Sequence, residues 1–144
     1  MVNQTMLKFG YPESTVATYD HWVVLLRPAQ VTAGCLVLAC TEDATSLGAL
    51  SRDAGAELPQ VAANLEAAVS ATFGPEKFNY LALMMVDPNV HFHVIPRYSQ
   101  AVDVAGTEIP DPGWPRQPDM NAAVSLTGDQ MAKLLEDLKS NWPT

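Results

Sequence analysis

The sequence predicts an α+β fold: an antiparallel sheet of about five strands packed with two helices. Three observations carry that prediction. Short, strand-like apolar runs lie on both sides of one long stretch, residues 51–73, whose apolar residues recur every three and four positions. Neighbouring runs are joined by tight turn signals such as Asp20 and Val86-Asp87-Pro88-Asn89, which favour antiparallel hairpins. The 144 residues, 48% hydrophobic and 17% charged, amount to a single domain with enough apolar material to bury a core.

The elements follow in order. Residues 1–14 read as a polar, irregular opening. Thr15 to Tyr19 is a short strand and His21 to Arg27 a longer one rich in Trp, Val and Leu, with Asp20 at the hairpin tip. Pro28 ends the second strand, and Cys35-Leu-Val-Leu-Ala-Cys40 is short and apolar enough for a central strand. Thr41 to Gly48 is a polar connection. In the helix that follows, Leu58, Val61, Ala62, Leu65, Ala68, Val69 and Thr72 share one face, Ser51 is the N-cap and Gly74-Pro75 the stop. Pro59 either kinks this helix or begins its regular part. Phe78 to Met85 and Val90 to Arg97 form a hairpin, with Met84 and Met85 read as core filling. Residues 98–122, with four prolines, read as an ordered loop in which Trp114 needs burial. Thr127 and Gln130 form a capping box for a last helix over about 127–142, with Met131, Leu134, Leu135, Leu138 and Trp142 on one stripe.

Lys and Arg total 8 against 16 Asp and Glu, a formal net charge of −8. Long nucleic acids are excluded as partners, because their binding depends on Lys and Arg displacing counterions. A small phosphorylated ligand is not excluded, since a local pocket of amides and imidazoles outweighs a global charge. No apolar run approaches the roughly 20 residues that cross a bilayer, and Met1 to Gly10 lacks a signal pattern, so no membrane partner and a cytoplasmic location are expected. Cys35 and Cys40 are too few for a disulfide framework and differ in strand parity, which argues for buried thiols rather than a shared metal site.

Only three histidines occur, His21, His91 and His93, and two of them fall within Asn89-Val-His-Phe-His-Val-Ile-Pro-Arg97. In a strand, Val90, Phe92 and Val94 face the core while Asn89, His91 and His93 share the other side, the imidazoles roughly 6 to 7 Å apart. Three readings of that row stand side by side. It is a half-exposed strand that happens to be His-rich; or His91 and His93 are two ligands of a metal that still lacks a third, Asp87 sitting beyond Pro88. In the third, a neutral imidazole attacks a phosphorus atom while adjacent polar groups receive the phosphate oxygens, which requires no cofactor.

At these residues the sequence resembles the histidine triad (HIT) family, whose signature alternates three histidines with apolar residues. Here that signature reads Asn89-Val90-His91-Phe92-His93-Val94-Ile95, followed by Pro96-Arg97. The strand pair around residues 22–40, the helix after it, the Asn79 strand and the Gly113-Trp114-Pro115 segment occur in the family's order. The resemblance implies a HIT-like fold and a hydrolase acting at the α-phosphate of a nucleotide conjugate, a dinucleoside polyphosphate or a nucleoside phosphoramidate. It implies that His91 is the nucleophile, forming a covalent nucleotidyl-histidine that water hydrolyses, and that His93 orients it. Asn89 stands in the first triad position, where an amide donates or accepts a hydrogen bond but carries no proton. Asn79 and Asp87 are further substrate-binding candidates. Arg97 shares the row's parity but is expected to turn outward at Pro96 into a surface ion pair. The family's ribose-holding Asn or Asp is missing from Leu25-Leu26-Arg27, and Cys35 stands where many members have histidine. A nucleotide-binding module with little or no turnover is the alternative those differences raise. A homodimer is implied as well, with the alanine-rich helix offering a close-packing face.

Overall fold

A computed structural model describes residues 2–144. Five strands form one antiparallel sheet: β1 (Thr15–Thr18), β2 (Trp22–Leu26), β3 (Leu36–Cys40), β4 (Lys77–Leu81) and β5 (His91–Arg97), in spatial order β1-β2-β3-β5-β4. β5 therefore lies between β3 and the edge strand β4, pairing His91 with Ala39 and His93 with both Val37 and Leu81. Facing partners share a side of the sheet, so the pleat assigns each residue to one of two faces.

One face carries Trp22, Val24, Leu26, Leu36, Leu38, Cys40 and Val94. Against it packs α2 (Arg52–Phe73) through Val61, Leu65 and Val69, with α3 (Gly128–Ser140) adding Leu134 and Leu138. The helix α2 starts as its sequence demands: the Ser51 side chain accepts from the Ala54 N–H, and Gly74 ends it at φ 66°, a left-handed conformation suited to glycine. It runs unbroken through Pro59, which sits on the solvent side; the Trp22 indole seals the other side by donating to the Ala54 carbonyl at 2.8 Å. The capping box at α3 is complete, with Thr127 and Gln130 satisfying each other's backbone N–H.

Three expectations need correction. The opening is not wholly irregular: Gln4–Lys8 forms a short helix, α1, capped by the Asn3 side chain, and its Met6 packs with Phe9 on Val23, Leu25, Val37 and Ala39 of the second face. Its apolar residues are too few to show a period, so nothing in the pattern announced it. Within the proline-rich stretch, β6 (Val102–Val104) and β7 (Thr107–Ile109) pair as a hairpin over Ala105 and Gly106, both at positive φ. That turn type matches the twist of two flanking strands, and Val104 and Ile109 join the core. The strand before the histidines stops at Leu81 rather than Met85: Met84 adopts φ 46°, and Met85 and Val86 are 79% and 86% exposed rather than core.

Candidate functional site

His91 and His93 occupy the second face, as the alternation of β5 requires, with their ring centroids 5.1 Å apart and nearly perpendicular. Neither is half-exposed. His91 is 2% and His93 8% exposed, because α1 lays Phe9 over the row, its ring centroid 5.6 Å from His91 and 5.5 Å from His93. Several hydrogen bonds hold α1 there. The Asn3 carboxamide donates to the carbonyls of Cys40 and Glu42, and the Thr5 hydroxyl donates to Asn89 Oδ1 while accepting from the Asn89 N–H. The Lys8 ammonium lies 3.6 Å from the Asp87 carboxylate.

The backbone decides the state of His91. Its Nδ1 is 2.7 Å from the Asn89 carbonyl oxygen, which can only accept, so Nδ1 carries the proton and Nε2 holds a free lone pair. An imidazole fixed in that tautomer is ready to act as a nucleophile through Nε2. His93 is fixed the other way. Arg27, one step beyond the end of β2, donates from Nε to His93 Nδ1 at 3.1 Å; a guanidinium has no acceptor, so this ring is neutral with its proton on Nε2. Burial first, then the Arg27 charge and His91, lower the His93 pKa to about 4, with Asp87 pulling weakly the other way.

The remaining expected residues divide. Asn89 is at the row, but its side chain is engaged by Thr5 and its Nδ2 lies 3.4 Å from the Asp43 carbonyl; the group that touches His91 is its main-chain oxygen. Asp87 sits in the loop 82–90, near enough to affect His93 and half-buried against Lys8. Asn79 is on the same face but two pairs further along, accepting from Arg97 Nη1 at 2.7 Å. Arg97 is not outward and not in a surface pair. It is 3% exposed, with Nε and Nη2 on the two oxygens of Asp111 at 2.7 and 3.1 Å. Pro96 is accommodated because the β3 ladder already ends at Val94, and Thr32 donates to its carbonyl at 2.6 Å, so the strand continues straight and Arg97 keeps its parity.

Arg27, Phe9 and Thr5 are the site residues that the sequence did not single out. Arg27 was findable, since it continues the parity of Val23 and Leu25 on the histidine side of β2. Phe9 and Thr5 carried no comparable signal. Cys35 and Cys40 are both buried free thiols, on opposite faces. Among the described residues, no three His, Cys, Asp or Glu side chains are grouped to hold a metal ion, and no helix is long and apolar enough to cross a membrane.

No protein-family model matches the chain, and no curated protein does either. Solved structures do. A histidine triad protein from Sinorhizobium meliloti 1021 superposes with a TM-score of 0.75 over 98% of this chain and 96% of its own, at 19% identity. One from Marinobacter aquaeolei VT8 gives 0.69 over 99% and 95%, at 20% identity. A protein from Sulfolobus tokodaii strain7, described as a hypothetical histidine triad nucleotide-binding protein, gives 0.68 over 89% and 82%, at 14% identity. The fold is therefore that of the histidine triad proteins, spanning nearly the whole chain.

Proposed function

From a histidine triad fold holding a tautomer-locked imidazole, we propose that this chain is a nucleotide hydrolase. It cleaves at the α-phosphate of a dinucleoside polyphosphate or a nucleoside phosphoramidate. The observation that carries this reading is the 2.7 Å contact between His91 Nδ1 and the Asn89 carbonyl, which leaves Nε2 as the nucleophile. The Nε2 lone pair attacks phosphorus, a P–N bond forms, and the bond from phosphorus to the leaving group breaks, its electron pair departing with that group. Positive charge on the ring is stabilised through the Nδ1–H···O=C bond, which strengthens as the ring becomes cationic. Water then attacks the phosphorus and gives up a proton to solvent, the P–N bond breaks with its electron pair returning to Nε2, nucleoside monophosphate leaves, and neutral His91 is restored.

The side-chain amide of Asn89 cannot relay protons, so the backbone carbonyl is its contribution to the nucleophile. Asp87 is paired with Lys8, and since a carboxylate repels phosphate its proposed part in substrate binding is to hold that ammonium near the row. Asn79 belongs to the Arg97–Asp111 cluster and supports the strand rather than the ligand. Phe9 covers the row, so substrate enters by displacing α1. The competing reading, a binding module with little turnover, rests on Cys35 and on the ribose-holding Asn or Asp missing from Leu25-Leu26-Arg27. A homodimer is proposed too: β4 is an open sheet edge, and an edge strand offers its unpaired backbone to a second copy. Sedimentation giving a mass twice that of the chain supports the dimer, and a monomer at micromolar concentration rejects it.

Incubating the protein with an adenosine phosphoramidate and with diadenosine tetraphosphate, beside His91→Ala, tests the reaction. Turnover that disappears in the variant is expected. Saturable AMP binding without turnover supports the binding module instead, and the lack of both rejects the nucleotide reading.

A further inference from the structure

Arg27 is a half-buried cation in a chain of net charge −8, yet among the described residues no carboxylate lies within ion-pair distance of it. Its position is nevertheless fixed. The main-chain N–H donates to the Cys35 carbonyl at 3.1 Å, its own carbonyl accepts from the Gln30 side chain at 2.7 Å, and Nη1 donates to the Ala29 carbonyl at 2.6 Å. These bonds leave Nε one partner, His93 Nδ1. A surface arginine would spread into solvent toward an acid; this one is folded back onto an imidazole.

We infer that Arg27 is a positioning residue that holds His93 as the neutral, Nε2-protonated tautomer, so that the ring offers a hydrogen-bond donor to phosphoryl oxygens beside the His91 nucleophile. The inference rests on the hydrolase reading for what the donor is used on, and on the 3.1 Å contact for the tautomer itself. The two histidines are then complementary. The Asn89 carbonyl puts the His91 proton on Nδ1 and frees Nε2 to attack; Arg27 removes the His93 proton from Nδ1 and places it on Nε2 to donate. A free imidazole in water exchanges between tautomers; the wrong one turns the His93 donor into an acceptor facing an anion and puts a proton on the His91 nitrogen that must attack. Fixing both rings by groups that cannot reverse their hydrogen-bonding role eliminates that loss.

The charged and titratable groups around His93 support this assignment. Arg27 faces it from the end of β2 and His91 from its own strand, while Asp87 acts from the loop 82–90 with Lys8 of α1 drawn onto that carboxylate. Across the sheet its partners are Val37 and Leu81, and above it lies Phe9, none of them titratable. The Cys35 thiol behind Arg27 is pushed up by burial and stays neutral. Burial disfavours a charged ring first, and among the charged groups facing it Arg27 acts most strongly, repelling a second proton.

Two-bond 1H–15N correlation spectra of uniformly 15N-labelled protein read imidazole tautomers directly. For the wild type the expected result is a single neutral His93 with the proton on Nε2 from pH 5.5 to 8. Arg27→Met, similar in length but without a donor, should give a mixed tautomer and a His93 titration at least one pH unit higher. With diadenosine tetraphosphate, kcat in that variant should fall about tenfold with KM less affected. Arg27→Lys, which restores a cationic donor, should recover part of both signals. A wild-type His93 protonated on Nδ1 at pH 7 overturns the proposal without any variant, and so does an Arg27→Met spectrum identical to wild type. An unchanged kcat in a variant whose tautomer has shifted rejects the catalytic use of the donor. If the spectra behave as expected but no nucleotide is turned over by wild type, the hydrolase reading fails while the Arg27–His93 contact stands.

Discussion

The two faces of the five-stranded sheet are made by the same alternation, yet they are covered very differently. On one, Trp22, Val24, Leu38 and Val94 meet α2 of 22 residues and α3 of 13. On the other, His91 and His93 meet α1 of five residues and the ring of Phe9. The first cover is apolar and continuous with the core. The second combines a small apolar cluster, Met6 and Phe9 on Val23, Leu25, Val37 and Ala39, with polar contacts from Asn3, Thr5 and Lys8, and is short enough to leave. Depth of burial thus does not distinguish core from site here; what distinguishes them is how the cover is attached.

That contrast can be broken most sharply at its two centres. His91→Ala should reduce turnover about 10⁴-fold, measured by nucleotide release, while thermal unfolding stays within a few degrees of wild type. Trp22→Ala should do the opposite. Losing a fully buried indole and its bond to Ala54 should cost about 3–5 kcal/mol by denaturant titration, with kcat per folded molecule little changed.

Smaller effects refine the comparison. Phe9→Ala should lower stability by about 2 kcal/mol, below the usual cost of a core phenylalanine because α1 is thinly packed, and should speed diethyl pyrocarbonate modification of the row several-fold. A slower modification would show that Phe9 is not the cover. The smallest effect is in pH. The folded His93 pKa of about 4 lies below the ordinary value near 6.5, so the unfolded chain takes up the proton first. The His93 contribution is fully present above about pH 6.5 and is lost as pH falls toward 4. Denaturant titrations at pH 7 and pH 4.5 should show less acid sensitivity in His93→Phe than in wild type.

How much was legible follows from where each signal resides. Val90, Phe92 and Val94 against His91 and His93 is a period-two pattern within one segment, and the structure reproduces it. The spacing of Val61, Leu65 and Val69 is likewise local, as are the Ser51 and Thr127 caps. The cover over the row was not legible, because α1 is held by bonds from Asn3 to Cys40 and Thr5 to Asn89, residues 37 and 84 positions apart. Arg97 was misjudged for a similar reason. Its partner Asp111 lies beyond the β6–β7 hairpin, and only the fold brings the two together. The exposed Met85 and Val86 show the limit of hydropathy: an apolar run continues a strand only while a neighbouring strand continues beside it, and β4 ends at Leu81.

If His91 is the nucleophile, its Nε2 becomes bonded to phosphorus during turnover. Rapid acid-free denaturation of protein mixed with diadenosine tetraphosphate, followed by intact-mass and peptide mass spectrometry, reads that bond directly. One adenylyl group is expected on the peptide containing His91, present in wild type within the first turnover and absent from His91→Ala. Steady hydrolysis by wild type with no adduct at any time, or an adduct that persists in His91→Ala, would contradict it.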